Sequence, residues 1–528
     1  MDVSSANLLV PDEFQKSYLD LLNYPTNIIL RGTNIYHSVL QSLKDRLDQI
    51  EPQLCLSRKE AVRQFEVPIR DLHTALGKDV EKANNHSPEK LSQWLGTNVV
   101  SFEKQQVQAS RRDSKCRFIY IYSHNSSDRL LITRSSLAEV FTYHQVMPAY
   151  LDFIFVFGAQ SDATDLRFTA FRHNIMMRDP PRMTPIPQLG RSGRCFQLCY
   201  NLKGAAIYHQ FDVVYGTTLW IVTKGRLDLQ QRFKELTGKD GRPEDKSFDT
   251  ASQCLRSSLA AHLLYCYWST ESWRWYVRWM EEIIENESAM AIYGPRGPGF
   301  SHMQYKPHHI QDLQYWLDKA SEAVTAMESN VNVISAMRNL YASLSARKDF
   351  PEELKEENDD DLIDFDSQLD DLINDFNMQL SRARLLVNIT RDRKDLVSQH
   401  LNGQAAERTK QLNINLERDA IGMRVITIVT LVYLPATFVS TVFGTDVVKY
   451  QNDNAVQNGS SGSFSSIALT RWLQVTIPLT VVTLVLAWAT FKVAHMQRRL
   501  REMRENPPGQ TLARLSSITK SSPFNDQQ

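Results

Sequence analysis

Residues 351–375, PEELKEENDDDLIDFDSQLDDLIND, hold twelve carboxylates and one lysine. Carboxylates are hard oxygen donors, the ligand type that Mg2+ and Ca2+ take. Asp359, Asp360, Asp361 and Asp364 are the densest part of the run. A cluster of this kind has two physical readings. It is either a divalent-cation site completed between subunits or a solvated face of mutually repelling charges.

A second set of candidate residues sits in an apolar stretch. Projected at ~100° per residue from Thr437, the residues Leu434, Thr430, Ile426, Met423 and Asp419 fall within about 60° of it. Hydroxyls, apolar groups and a carboxylate on one stripe suit a path for cations, because ions must leave such a lining as well as enter it. Arg424 lies about 140° away, off the stripe. The alternative is a lipid-facing or packing face whose threonine hydroxyls bond back to their own helix. Pro435 deletes one helical hydrogen bond, to the carbonyl of Leu431, and can bend the helix there. Gly444 suits a helix end. Thr445 and Asp446 follow, and a carboxylate at that depth is costly in lipid but favourable at a mouth that attracts hydrated cations.

The elements that carry these residues follow from charge. Val425–Thr445 and Trp472–Phe491 contain no charged residue. Each has ~20 residues, enough for ~30 Å of hydrocarbon, so two membrane-spanning helices are expected. Arg408, Lys410, Arg418 and Arg424 precede the first run, and Lys492, Arg498, Arg499, Arg501 and Arg504 follow the second. The segment between holds only Asp446, Lys449, Asp453 and the boundary Arg471. Basic flanks stay cytosolic. An integral membrane protein with two spans and both termini in the cytosol is expected, with the plasma membrane favoured over an organelle. The N-terminus, MDVSSANLLVPDEFQ, does not read as a secretory signal.

Composition excludes other classes. Lys plus Arg and Asp plus Glu number 60 each, so no basic excess points to nucleic acid. The six cysteines lack zinc spacing and read as reduced thiols in a packed domain. No P-loop, G-x-S-x-G or H-E-x-x-H occurs, so the chain does not read as an enzyme. His308 and His309 read as surface residues, and no covalently bound cofactor is expected.

Along the chain, residues 1–110 read as helices. From 116 onward CRFIYIYS, YLDFIFVFG, CFQLCYNL and VVYGTTLWIVTKG read as strands, with RDPPRMTPIPQLGRSGR a surface loop between them. From about 251 the pattern turns helical, and the Trp and Tyr residues of SLAAHLLYCYWSTESWRWYVRWMEEII read as a core face. GPRGPGF is a break, and 307–347 is another helix. No proline falls between Pro351 and Pro435, and Leu369, Leu372, Ile373, Phe376 and Leu380 follow helical spacing. An unbroken helix from about 360 into the membrane would be ~120 Å long and would need neighbours, its own preceding helix or copies of itself.

The long cytosolic helix, the two C-terminal spans, the short outer loop and the basic tail together resemble the CorA family of magnesium transporters. That family carries Gly-Met-Asn at the end of its first span, with Pro-x-Thr upstream. Here Pro435-Ala436-Thr437 stands at that spacing before Gly444-Thr445-Asp446, and Phe443 fits as the preceding aromatic. FTYHQVMPAYLDFIFVFG is similar to CorA-like proteins of filamentous fungi. The resemblance implies that Thr437 and Met423 are pore residues. It also implies that Asp446, standing for asparagine, holds hydrated cation at the mouth, and that metal at cytosolic carboxylates regulates the pore. Mg2+ or another divalent cation is the implied transported ion, and a homo-oligomer, a pentamer in the family pattern, the implied assembly.

The expected fold class is therefore an α/β cytosolic N-terminal domain, a very long stalk helix and two C-terminal transmembrane helices. The expected division is 1–300 for the α/β domain and 301–420 for the helical region with the stalk. The first span is 421–445, the outer loop 446–471 and the second span 472–494. The remainder, 495–528, is a basic and largely disordered tail. The rival to a transporter is a membrane-anchored scaffold or sensor that kept the fold and lost the signature.

Overall fold

The computed structural model describes residues 8–29, 36–72, 81–100, 106–109, 111–125, 128–159, 168–181, 183–224, 227–238, 240–293, 305–444 and 466–505. They form two compact units, 1–400 and 401–528.

The first unit is built on a seven-stranded sheet. Its strands are β1 (Val67–Leu72), β2 (Glu81–Asn85), β3 (Cys116–Ile121), β4 (Phe171–Met176), β5 (Cys195–Leu202), β6 (Ala205–Asp212) and β7 (Thr218–Thr223). The order across the sheet is β2-β1-β3-β7-β6-β5-β4. The pair β3/β7 is parallel, with Trp220 opposite Phe118, and the other neighbours are antiparallel. β3, β5 and β7 are buried along their whole length. Both faces are covered, so these strands read as continuous apolar runs without alternation. Lys203 and Gly204 join β5 to β6, both at positive φ (48° and 78°), the backbone of a two-residue hairpin turn whose twist matches the strands.

Helix α1 (Arg134–His144) and the segment after it cover one face, where the Tyr150 hydroxyl lies 2.9 Å from Thr223 Oγ1. Helix α2 (Ala251–Thr270) covers the other. There Tyr200 Oη lies 2.8 Å from His262 Nδ1, and His262 Nε2 lies 3.2 Å from His209 Nδ1. His209 in turn stacks on Trp220 at 4.1 Å. Burial lowers the pKa of His262 to about 3, so this pair is neutral.

Three long helices follow: α3 (Trp273–Tyr293), α4 (Pro307–Ser345) and α5 (Asp359–Gly444). A last helix, α6, spans Ser466–Glu505. Along α5 the buried residues Leu369, Leu372, Phe376, Ala383, Leu386, Thr390 and Val397 recur at spacings of three, four and seven. That is a coiled-coil seam. Its partners are α3 and α4: Arg382 binds Glu281, Arg384 binds Glu328, and Lys394 donates to Gln314 Oε1 at 3.0 Å. The neighbours that the long helix needs are thus supplied by its own chain as far as Val397.

The architecture is the expected α/β region, long helix and pair of apolar C-terminal helices. Four local readings are corrected. Residues 1–110 are not all helical, since 67–72 and 81–85 are sheet strands and 97–100 pairs with 106–109. Within β1, Asp71 is fully buried against Arg117. Residues 150–154 are a short helix, not a strand. Apart from Asp152 their run is aromatic and aliphatic, and such short apolar runs fit either element. The loop 178–194 is not wholly superficial: Ile186 and Leu189 are buried, and Arg191 Nε donates to Asp113 Oδ2 at 2.7 Å. Finally, the aromatic face of α2 and α3 is only partly core. Tyr265 and Trp268 are buried, but Trp275 and Trp279 are 61% and 47% exposed. Arg274 and Arg278 lie against the Trp275 ring and take the place of core contacts. Residues 294–304, Thr445, Asp446, the outer loop to 465 and the tail beyond 505 lie outside the described residues.

Candidate functional site

The outer part of α5 is apolar enough to cross a membrane and almost unburied, and so is Leu469–Val493 of α6. The two helices meet at few points. Pro435 and Val439 are buried, and Trp472 Nε1 donates to Ser440 Oγ at 3.1 Å. On the helix projection Pro435 and Val439 lie about 160° from Thr437. The stripe of Thr437, Thr430, Met423 and Asp419 therefore lies opposite the buried Pro435 and Val439, with Ser440, which meets α6, about 60° from Thr437. Met423 is 65% exposed and Leu434 62% exposed. Asp419, Thr430 and Thr437 are also exposed.

Each described threonine on the stripe bonds back to its own helix. Thr430 Oγ1 donates to Ile426 O at 2.7 Å, and Thr437 Oγ1 reaches Tyr433 O and Leu434 O at 3.0 Å each. The proton is spent within the helix, so the oxygen presents only lone pairs outward. Sequence reasoning missed Thr441, whose hydroxyl behaves in the same way toward Thr437 O and Phe438 O. It lies about 40° from Thr437. Extending the same projection outward by one turn would have found it. Gly444 closes the helix, whereas Thr445 and Asp446 lie outside the described residues.

Part of the acidic run is paired with arginines of the same chain. Arg256 of α2 donates to Asp361 Oδ2 at 2.7 Å. Arg338 of α4 grips Asp366 through two bonds of 2.7 and 2.8 Å and reaches Asp370 at 2.6 Å. The Arg338 bonds hold the Asp366 carboxyl below its usual pKa. Asp359 and Asp360 occupy the first turn of α5, where the helix dipole favours carboxylates. Asp364 is exposed. Among the described residues no three His, Cys, Asp or Glu side chains converge as a metal site within the chain. Arginines 105 and 28 positions away supply the charge balance of Asp361 and Asp366. No short-range pattern signals a pairing at such a separation.

Comparison with known proteins gives the family. Residues 16–292 match the family model of the CorA-like transporters, more than half of the chain. No curated protein matches the chain. Similar solved structures include the full-length CmaX protein, at 10% identity and a TM-score of 0.32, covering 83% of this chain and 97% of that one. Another is the soluble domain of CorA from Methanocaldococcus jannaschii, at 10% identity and a TM-score of 0.30, covering 63% of this chain and 97% of that one. At those scores neither likeness bears on substrate or assembly. The match over 16–292 lies in the α/β region and the two helices after it, the part of the chain with the most buried sheet. The chain belongs to the CorA-like transporters.

Proposed function

We propose that this protein is a homo-oligomeric membrane channel that passes divalent cations, Mg2+ first among them, down their electrochemical gradient. The observation that carries this reading is the direction of the α5 stripe. It lies opposite the buried Pro435 and Val439, it is exposed within one chain, and its threonine oxygens offer acceptors only. A ring of copies would bring these oxygens around one axis. Such a lining holds a hydrated cation at several weak sites rather than one tight one, which conduction requires. Met423 and Leu434 would form apolar constrictions between the hydroxyl rings. Asp419 would stand at the inner end and Gly444-Thr445-Asp446 at the outer mouth, where a ring of carboxylates concentrates divalent ions.

Five copies is the number the family resemblance implies. The segment from 402 to 430 supports self-association, because it is exposed nearly throughout and includes Leu412, Ile414 and Leu416 at 61%, 42% and 63% exposure. A helix of this length needs a partner surface. Basic residues flanking both apolar runs support cytosolic termini, and the plasma membrane is the favoured site. Metal bound between subunits at Asp359, Asp360, Asp361 and Asp364 would close the channel by shifting its population of states. Because Asp361 is already engaged by Arg256, such a metal would compete with that ion pair.

The second reading is a non-transporting scaffold or sensor, favoured by Thr445-Asp446 in place of Met-Asn. Purified full-length protein in liposomes separates the two. Mg2+ flux above that of empty vesicles supports the channel. Absence of flux for Mg2+ and for other divalent cations, from correctly inserted protein, excludes it.

A further inference from the structure

The bundle of α3, α4 and α5 up to Val397 has two bare faces on opposite sides. The first is on α5. Projected at ~100° per residue from Met378, the residues Asp360, Asp371, Leu385 and Leu396 fall within about 20° of one line. The buried Leu372, Phe376 and Ala383 lie about 120–160° from it. Met378, Leu385 and Leu396 are 62%, 59% and 39% exposed. Asp360 and Asp371 are exposed as well.

The second face is aromatic and belongs to α3 and α4. Besides Trp275 and Trp279 it includes Tyr315, 53% exposed. The Trp279 ring meets Trp316 edge-on at 5.2 Å, and Trp316 meets Tyr315 at 5.1 Å. Glu281 and Ser288 of α3 point the other way, to Arg382 and Arg393 of α5. On the helix projection Trp275 and Trp279 lie about 120–180° from those two residues. The aromatic face is therefore on the side of the bundle away from α5. Exposed Trp and Tyr grouped in this way, with Arg274 and Arg278 beside them, have the composition of interface anchors.

The two faces also match in height. The pairs Glu281–Arg382 and Ser288–Arg393 show that α3 and α5 run in the same direction. They put Trp275 and Trp279 level with about residues 376 and 380 of α5, the height of Met378. Arg274 stands level with about residue 375, beside Asp371 and Asp375. Among the described residues Arg274, Asp371 and Asp375 have no ion-pair partner. Rotation about an axis along the bundle preserves height. It would bring Met378 of one copy to the tryptophans of the next, and Asp371 to Arg274.

We propose that these faces form one head-to-tail interface between copies of this chain, with the α5 line of one copy seated on the α3–α4 aromatic face of the next. The inference rests on the homo-oligomeric reading and names the surfaces that build it. A contact between two different faces closes into a ring when the rotation allows. A foreign partner would use one face and leave the other bare, whereas a second copy covers both. Methionine sulfur packs favourably on aromatic rings, and the carboxylates meet the arginine at the same height.

The test uses full-length protein, whose six native cysteines are buried. Glu282 is exposed, lies about 20° from Trp275 on α3, and is within about 3 Å of the height of Leu385. Glu282→Cys is combined with Leu385→Cys, both at exposed positions, and the protein is mildly oxidised. Thiols on opposite sides of one bundle are too far apart to join within a chain. Glu282→Cys with Asp360→Cys, about 35 Å apart along the bundle, is the height control. The expected result is a ladder of linked copies on a denaturing gel from the first pair and none from the control. Adding Trp275→Ala and Trp279→Ala should reduce the linking several-fold. No ladder from protein that light scattering shows to be associated would overturn this interface and leave the homo-oligomeric reading standing. Equal linking by the two pairs would also overturn it. Single copies by light scattering would overturn both. Absence of Mg2+ flux from the same protein would touch the channel reading alone.

Discussion

Helix α5 has two parts that follow different rules. As far as Val397 it is clothed by α3 and α4, with a regular buried seam and arginines on its carboxylates. From 402 to 430 it is bare within the chain. The clothed part gains its stability from intrachain packing. The bare part has no such source and needs lipid or further copies of the chain. A substitution in the buried seam should therefore damage folding, and one in the bare part assembly or flux.

The largest effect belongs to the seam. Phe376→Ala should cost the first unit ~3–5 kcal/mol, the range for a buried aromatic replaced by alanine, read by denaturant unfolding of the full chain. A change below ~1 kcal/mol would mean that the seam does not hold α5. Acid should act on the same clothed side. His262 has its pKa lowered to about 3 by burial, below the ~6.5 of an unfolded histidine. Its contribution is fully present above ~6.5 and is lost as pH falls toward 3, because the unfolded chain binds the proton first, at up to ~1.4 kcal/mol per pH unit. His262→Phe should flatten that part of the pH–stability curve. No histidine lies between 401 and 444, so the bare part should be indifferent.

Smaller effects sharpen the contrast. Arg338→Ala removes a half-exposed grip on Asp366 and Asp370, and partly exposed pairs of this kind are worth ~0.2–1 kcal/mol each. The loss should shrink in high salt, as a salt titration of the unfolding midpoint would register. Leu412→Ala should leave the first unit within ~0.5 kcal/mol of wild type, as surface changes do. Its effect should be on oligomeric state, read by light scattering in detergent. A folding defect of the size of Phe376→Ala would erase the distinction between the two parts.

The sequence made the bare part easier to read than the clothed one. A membrane span is announced by the lack of charge over Val425–Thr445, a local signal that no distant residue modifies. Strands such as CRFIYI were equally plain, because burial on both faces leaves an unbroken apolar run. The strand Val67–Leu72 was hidden, since its Asp71 is held by Trp94, Arg111 and Arg117, 23, 40 and 46 residues away. The arginine partners of the acidic run were hidden for the same reason: Arg256 and Arg338 come from other helices. Pairings at long range are decided by the fold and leave no spacing to read.

The central claim is that one face of the bare helix lines the ion path. All six native cysteines are buried, so an introduced thiol can be probed against a low background. Thr437→Cys lies on the stripe, and Val432→Cys about 140° away from it, with Val432 itself 43% exposed. Mg2+ flux through liposomes holding either variant should be measured before and after a water-soluble thiol reagent. Loss of flux in Thr437→Cys, slowed by Mg2+, with Val432→Cys unaffected, is the predicted result. Equal sensitivity of the two, or block at Val432→Cys alone, would contradict the account.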